Sequence, residues 1–177
     1  MQKNWYILYT RTNCEKKVSA LLTKRKIENF TPFVQVETQK LIRSKIISKP
    51  LFKNYVFAYV ADQEILSVAK TTEGVINILY WLGRPAVIND VEINAIREFT
   101  GSDQHISLEK INVDNGITEK NIYRSIYKME GNVVRIMNKS VKINLPSIGY
   151  SLVVDLKDDH FLHEKALASV NYTFAQS

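Results

Sequence analysis

With one cysteine, Cys14, among 177 residues, the chain can form neither an internal disulfide nor a cysteine-based zinc site. No run approaches the roughly 18 apolar residues of a membrane helix, and the opening Met-Gln-Lys-Asn-Trp-Tyr lacks the apolar core of a signal peptide. A soluble, cytoplasmic chain is the expectation. There is no glycine-rich phosphate loop, and none of the three histidines, His105, His160 and His163, stands beside a plausible nucleophile. Asp158, Asp159, His160, His163 and Glu164 could bind a metal weakly, but His-x-x-His with neighbouring acids is common on exposed helices. The expectation is therefore no enzyme, no catalytic residue, no metal and no cofactor.

An apolar fraction of 45% fits a globular protein with a real core, and 177 residues suffice for one domain, or for a larger and a smaller one. The net charge of +6 is unevenly spread. Residues 1–60 hold 12 Lys and Arg against 3 Asp and Glu, whereas residues 61–177 hold 12 against 15. That split favours a nucleic acid or another polyanion near the N-terminal part, the alternative being a solvated basic face without a ligand.

Trp5 to Thr10 is an apolar, aromatic run of high strand propensity. Thr12 to Glu15 has the form of a capping box and predicts a helix over about 13–26, with Cys14, Val18, Leu21 and Leu22 packed inward. Cys14 accordingly reads as a small buried hydrophobe. Residues 33–38 alternate as a strand should, residues 40–45 form a basic hairpin tip, and a return strand runs toward Pro50. Tyr55 to Val60 is a further strand, followed by Asp62 as the N-cap of a short helix through Ala69. Gly74 breaks that helix, residues 75–79 resume strand character, and Gly83-Arg84-Pro85 marks a turn. Asn89 with Glu92 starts a helix carrying Ile93, Ile96 and Phe99. The order β-α-β-β-β-α-β-α implies an α+β domain, an antiparallel sheet flanked by helices, over residues 1–100. Polar and turn residues suggest a linker over 101–118. Strand-like segments at 131–136, 141–145 and 151–156 suggest a small all-β barrel or meander over 119–157, and residues 158–177 form a tail whose structure the sequence does not choose.

The most informative stretch is Pro50-Leu51-Phe52-Lys53-Asn54-Tyr55-Val56-Phe57. Alternation puts Tyr55 and Phe57 on one sheet face. Such a face is either covered by another part of the chain or waiting for a partner.

Taken in order, residues 5–11, Glu15-Lys16-Lys17-Val18, residues 50–57, Thr72-Glu73-Gly74-Val75 and Gly83-Arg84-Pro85-Ala86 resemble the N-terminal domain of NusG-type transcription elongation factors. Residues 131–136 and 145–149 resemble the small KOW-type, SH3-like barrel that follows it, although its usual glycine-rich first hairpin is not apparent around 119–128. Asn54, standing where general NusG usually has glycine, and the basic hairpin tip resemble the specialised RfaH-like and UpxY-like antiterminators. The resemblance implies a factor that binds the clamp helices of the large subunit of RNA polymerase through Tyr9, Phe52, Tyr55 and Phe57, and so suppresses pausing or termination on particular operons. It implies contact with the non-template DNA strand through Arg11, Lys16, Lys17, Lys24 and Arg25, and a further partner such as a ribosomal protein or termination factor on the barrel. Glu73 occupies a position that is basic in RfaH-like proteins, which leaves any carried-over sequence preference open. General NusG action is one alternative. A ribosome-associated or RNA-binding protein using the barrel is another, against which stands the neutral balance of residues 101–177, 9 basic against 9 acidic.

Overall fold

In the computed structural model, which describes residues 2–40, 43–100, 105–110, 126–129, 132–137 and 140–155, the chain divides into two units, Met1–Ile93 and Asn94–Ser177. The first is organised around β1 (Lys3–Thr10), whose β-branched and aromatic residues suit a pleated surface. Helix α1 (Glu15–Lys24) follows, then β2 (Glu28–Phe30), the hairpin of β3 (Phe33–Lys40) and β4 (Arg43–Pro50), and β5 (Tyr55–Ala61). Helix α2 (Ile65–Thr71) and β6 (Val75–Ile78) lead into a small hairpin of β7 (Tyr80–Trp81) and β8 (Arg84–Pro85), then β9 (Val87–Ile88) and helix α3 (Asp90–Thr100).

The main sheet has the order β2-β5-β1-β6, and β9 also pairs with β1. One edge of β1 runs antiparallel to β5 from Lys3↔Ala61 to Tyr9↔Tyr55. Its other edge is shared, with β6 taking Leu8 to Thr10 and β9 taking Trp5 and Tyr6. The register puts Tyr6, Leu8, Val56, Ala58 and Val60 on one face, where they pack with Val18 and Leu22 of α1, Ile65 and Val68 of α2, and Ile78. Each such fully buried side chain contributes about 1.5–3 kcal/mol relative to exposure. Trp5, Ile7 and Phe57 on the opposite face are buried as well, and the Trp5 indole donates to Asp90 Oδ1 at 3.0 Å. β3 and β4 form a separate two-stranded sheet, paired from Phe33↔Pro50 to Lys40↔Arg43.

In the second unit β10 (His105–Lys110), β11 (Ile126–Met129), β12 (Asn132–Met137), β13 (Ser140–Leu145) and β14 (Tyr150–Asp155) make an antiparallel sheet in the order β10-β14-β13-β12-β11. Ile143, Leu145, Leu152 and Val154 are buried. The expected all-β module is present.

Three local expectations fail. No side chain caps α1: Thr12 is exposed, Cys14 occupies the N-cap position, and Glu15 is turned elsewhere. Nor does Asp62 cap α2, since it accepts hydrogen bonds from Asn4 and the Tyr6 hydroxyl instead. The stretch 105–110, read as linker, is strand β10, with every residue from His105 to Lys110 paired along β14. In contrast, the Asn89 cap is realised: Asn89 Oδ1 accepts the Glu92 amide at 2.8 Å. The acidic and histidine cluster at 158–164 and the tail to 177 lie outside the described residues. Among the described residues no helix is long and apolar enough to cross a membrane.

Candidate functional site

Four aromatics of the 50–57 stretch and its neighbouring strand meet at one end of the main sheet. Cross-strand pairing sets Tyr9 opposite Tyr55, their rings edge to face at 6.1 Å between centroids. The Phe52 ring stacks on Tyr55 at 6.4 Å and meets Phe57 edge-on at 5.6 Å. Such pairs prefer these offset and edge-to-face geometries because ring edges are positive and faces negative.

The four are not equally available to a partner. Phe57 is 0% exposed and Phe52 3%, against the expectation that both would offer surface. The reason lies in β2, which pairs with β5 and stacks Phe30 over Phe57 at 6.1 Å. Phe52 and Phe57 therefore form a floor. Tyr9, 38% exposed, and the partly buried Tyr55 stand above it.

The turn that delivers Tyr55 is held by groups that local motifs did not reveal. Asn54 has φ +65°, a left-handed conformation that asparagine adopts more readily than most residues. Its carbonyl accepts the Thr10 amide at 2.7 Å, its amide donates to Glu15 Oε1 at 2.8 Å, and its side-chain Nδ2 donates to the Tyr9 hydroxyl at 3.3 Å. Glu15 is buried, so α1 is anchored to the aromatic turn by a charge-assisted bond. The one signal for this in the sequence was asparagine at a glycine-like turn position.

Among the candidate DNA-contacting cations, the structure gathers three around the segment Thr72–Gly74. The Arg11 amide donates to the Gly74 carbonyl at 2.8 Å, Lys17 Nζ pairs with Glu73 at 2.6 Å, and Arg25 Nη1 donates to Thr72 Oγ1 at 2.8 Å. The hydrogen bond from Lys17, then its charge and that of Arg11, hold the Glu73 carboxyl below its usual range. Lys16 is separated from this group, its ammonium 4.8 Å from the Phe33 ring centroid, a cation–π contact. Lys24 is exposed. Cys14 is partly buried against the core, and its side chain lies beside Gly74, where an added Cβ would approach the Cys14 Cβ to 3.4 Å. Among the described residues no group of three or more His, Cys, Asp or Glu is placed to hold a metal.

Residues 3–97 match the family model described as transcription termination factor NusG. A solved structure concerning domain interaction in Thermotoga maritima NusG is similar at 20% identity and a TM-score of 0.45, covering 88% of this chain and 94% of that one. Because the family match spans more than half of the 177 residues, the chain belongs to the NusG family, whose members are transcription factors of elongation and termination.

Proposed function

We propose that the first unit binds RNA polymerase at the clamp helices of its large subunit, and that the chain thereby suppresses pausing or termination on particular operons. The observation that carries this reading is the Tyr9–Tyr55 pair, two aromatics kept accessible above a buried floor of Phe52 and Phe57. Accessible aromatics on a rigid floor suit an interface anchor, whose truncation typically costs about 2 kcal/mol or more. No bond is made or broken in this mechanism. A factor that binds the elongating state better than the paused state shifts the balance between them, and only that difference in affinity counts. A coupling of about 1–3 kcal/mol changes pause lifetimes several-fold or more.

The non-template DNA strand is assigned to Arg11, Lys17 and Arg25, with Lys16 and Lys24 at the periphery. Glu73 moderates this group by pairing with Lys17. Phosphate contacts of this kind supply affinity and salt dependence rather than base choice. A polymerase-binding domain over 1–100 and the all-β module, which β10 extends toward the N-terminus, belong to the same proposal, with the module recruiting a ribosomal protein or termination factor.

Capture by core RNA polymerase tests the reading. Wild type should be retained, and a Tyr9→Ala, Tyr55→Ala variant with an unchanged circular dichroism spectrum should be lost. Equal retention of both would sink the clamp-binding model.

A further inference from the structure

Glu73 is an acid set among the cations assigned above to the DNA strand, and its neighbours fix where it stands. Thr72 before it is buried, its hydroxyl donating to the Val68 carbonyl at 2.6 Å and accepting from Arg25 Nη1 at 2.8 Å. Gly74 after it has φ +95° and is pressed against α1, where an added Cβ would come within 3.1 Å of Val18 Cγ2. The Glu73 side chain, by contrast, is 75% exposed, and Lys17 Nζ holds its Oε1 at 2.6 Å. Stability does not explain the pair, because an exposed ion pair of this kind contributes little. Phosphate binding does not explain it either, since an acid beside the cations weakens their hold on a nucleic acid. A fixed backbone, an accessible carboxylate and an ammonium that orients it are what a side chain needs in order to read a base.

We propose that Glu73 reads a guanine in the unpaired non-template strand and is the residue through which this surface selects sequence. The proposal rests on the DNA contact proposed above for Arg11, Lys17 and Arg25. In a single strand the Watson–Crick edges of the bases are open to side chains. Guanine presents two adjacent donors there, N1–H and an N2 amino hydrogen, which match the two oxygens of one carboxylate. Adenine and cytosine each present an amino donor beside a ring-nitrogen acceptor, and thymine presents one N–H between two carbonyls. All three therefore set an acceptor lone pair against the second carboxylate oxygen. The bond from Lys17 does not block the match, because a carboxylate has about four acceptor positions over its two oxygens. That bond, and then the charges of Lys17 and Arg11, keep the Glu73 carboxyl ionised, so it only accepts. With Arg11, Lys17 and Arg25 around a single acid, the group still attracts the phosphates on either side of the base.

The experiment uses the full chain and short oligothymidine strands carrying one central guanine, hypoxanthine, adenine or cytosine, with affinity followed against salt by fluorescence anisotropy. The guanine strand should bind roughly five- to 150-fold more tightly than the all-thymine, adenine and cytosine strands, the range for a good bidentate pair. Hypoxanthine keeps N1–H but lacks the amino group, and its strand should fall between. Glu73→Ala removes a negative charge, so it should bind the all-thymine strand more tightly than wild type does while losing the preference for guanine. A purely electrostatic role for Glu73 would instead raise affinity for every strand by one factor, and that result overturns the proposal. Equal wild-type affinity for the guanine and thymine strands overturns it as well. If Glu73→Ala fails to fold, Glu73→Gln decides, since its amide offers one acceptor and one donor and should lose the guanine preference. Tighter binding to RNA of the same sequence overturns the assignment to the non-template DNA strand. Absence of any salt-dependent binding overturns both the proposal and the DNA contact beneath it. Polymerase capture, run in parallel, separates the readings. A chain that is held by polymerase and binds all strands alike loses only the guanine proposal, and one that prefers guanine but is not held loses only the clamp reading.

Discussion

Glu15 and Asn54, 39 residues apart, are joined by a single hydrogen bond in which the buried Glu15 carboxylate accepts the Asn54 amide at 2.8 Å. The bond ties the first turn of α1 to the turn preceding β5, and through Asn54 Nδ2 it reaches the Tyr9 hydroxyl. A residue suited by type to a local helix cap thus serves a distant loop.

Removing that acceptor leaves the Asn54 amide without its carboxylate. Glu15→Ala should lower stability by about 1–3 kcal/mol in denaturant unfolding, the range for a buried donor that loses its partner. Polymerase capture should fall at temperatures where the variant is still folded, because the Asn54 turn also holds Tyr9. Unchanged stability would show that the Asn54 amide is satisfied without Glu15.

Phe57 and Tyr55 should separate packing from binding. Phe57→Ala removes a ring with no exposure and should cost about 3–5 kcal/mol of stability. Tyr55→Ala, truncating a side chain that is only partly buried, should cost distinctly less while weakening polymerase capture. Comparable losses of stability in chemical denaturation would contradict the floor-and-anchor arrangement.

Asp62 should contribute to acid sensitivity. Hydrogen bonds from Tyr6 and then Asn4 hold its carboxyl below the usual aspartate range. A depressed carboxylate stabilises the fold fully above the unfolded pKa, about 4, and loses that contribution as pH falls through the lower folded value. Thermal unfolding followed from pH 5 downward should show a shallower loss for Asp62→Asn than for wild type. Tyr6 moves the other way, raised first by desolvation and then by its bond to Asp62. Its contribution is present below its unfolded pKa of about 10 and disappears as pH rises through the folded value.

Leu82 offers a stabilising substitution. It and Gly83, with φ +48° and +78°, join the paired residues Trp81 and Arg84, and positive φ at both turn positions is the mark of a type I′ hairpin. Leucine pays about 1–2 kcal/mol to stay left-handed, whereas asparagine tolerates it, and the leucine side chain is 89% exposed and packs little. Leu82→Asn should raise the melting temperature by about 2–4 °C, measured by calorimetry.

Much of the architecture was legible in sequence where a signal is local. Strand propensity revealed β1 and β6, alternation revealed β5 and the β3–β4 hairpin, and Asn89 with Glu92 marked the start of α3, because cap and capped amide are three residues apart. The failures were cases in which a side chain found a better partner far away. Glu15 left its presumed capping box for Asn54, and Asp62 left α2 for Tyr6, which no window of neighbouring residues can weigh. Strand β2, with three residues, is too short to show a period, yet its Phe30 is what turns Phe57 from contact surface into floor. β10 escaped notice because its residues are half-buried or exposed and read as polar connection.

The detachment of β3–β4 from the main sheet also has a consequence in time. β1 is hydrogen-bonded on both edges and buried on both faces, so its amides should exchange with solvent only when the whole unit opens. A ribbon of two strands has no third strand to stabilise it and is marginal by itself. Its amides should exchange through frequent partial openings. The hairpin can therefore open and re-form while the aromatic platform stays fixed.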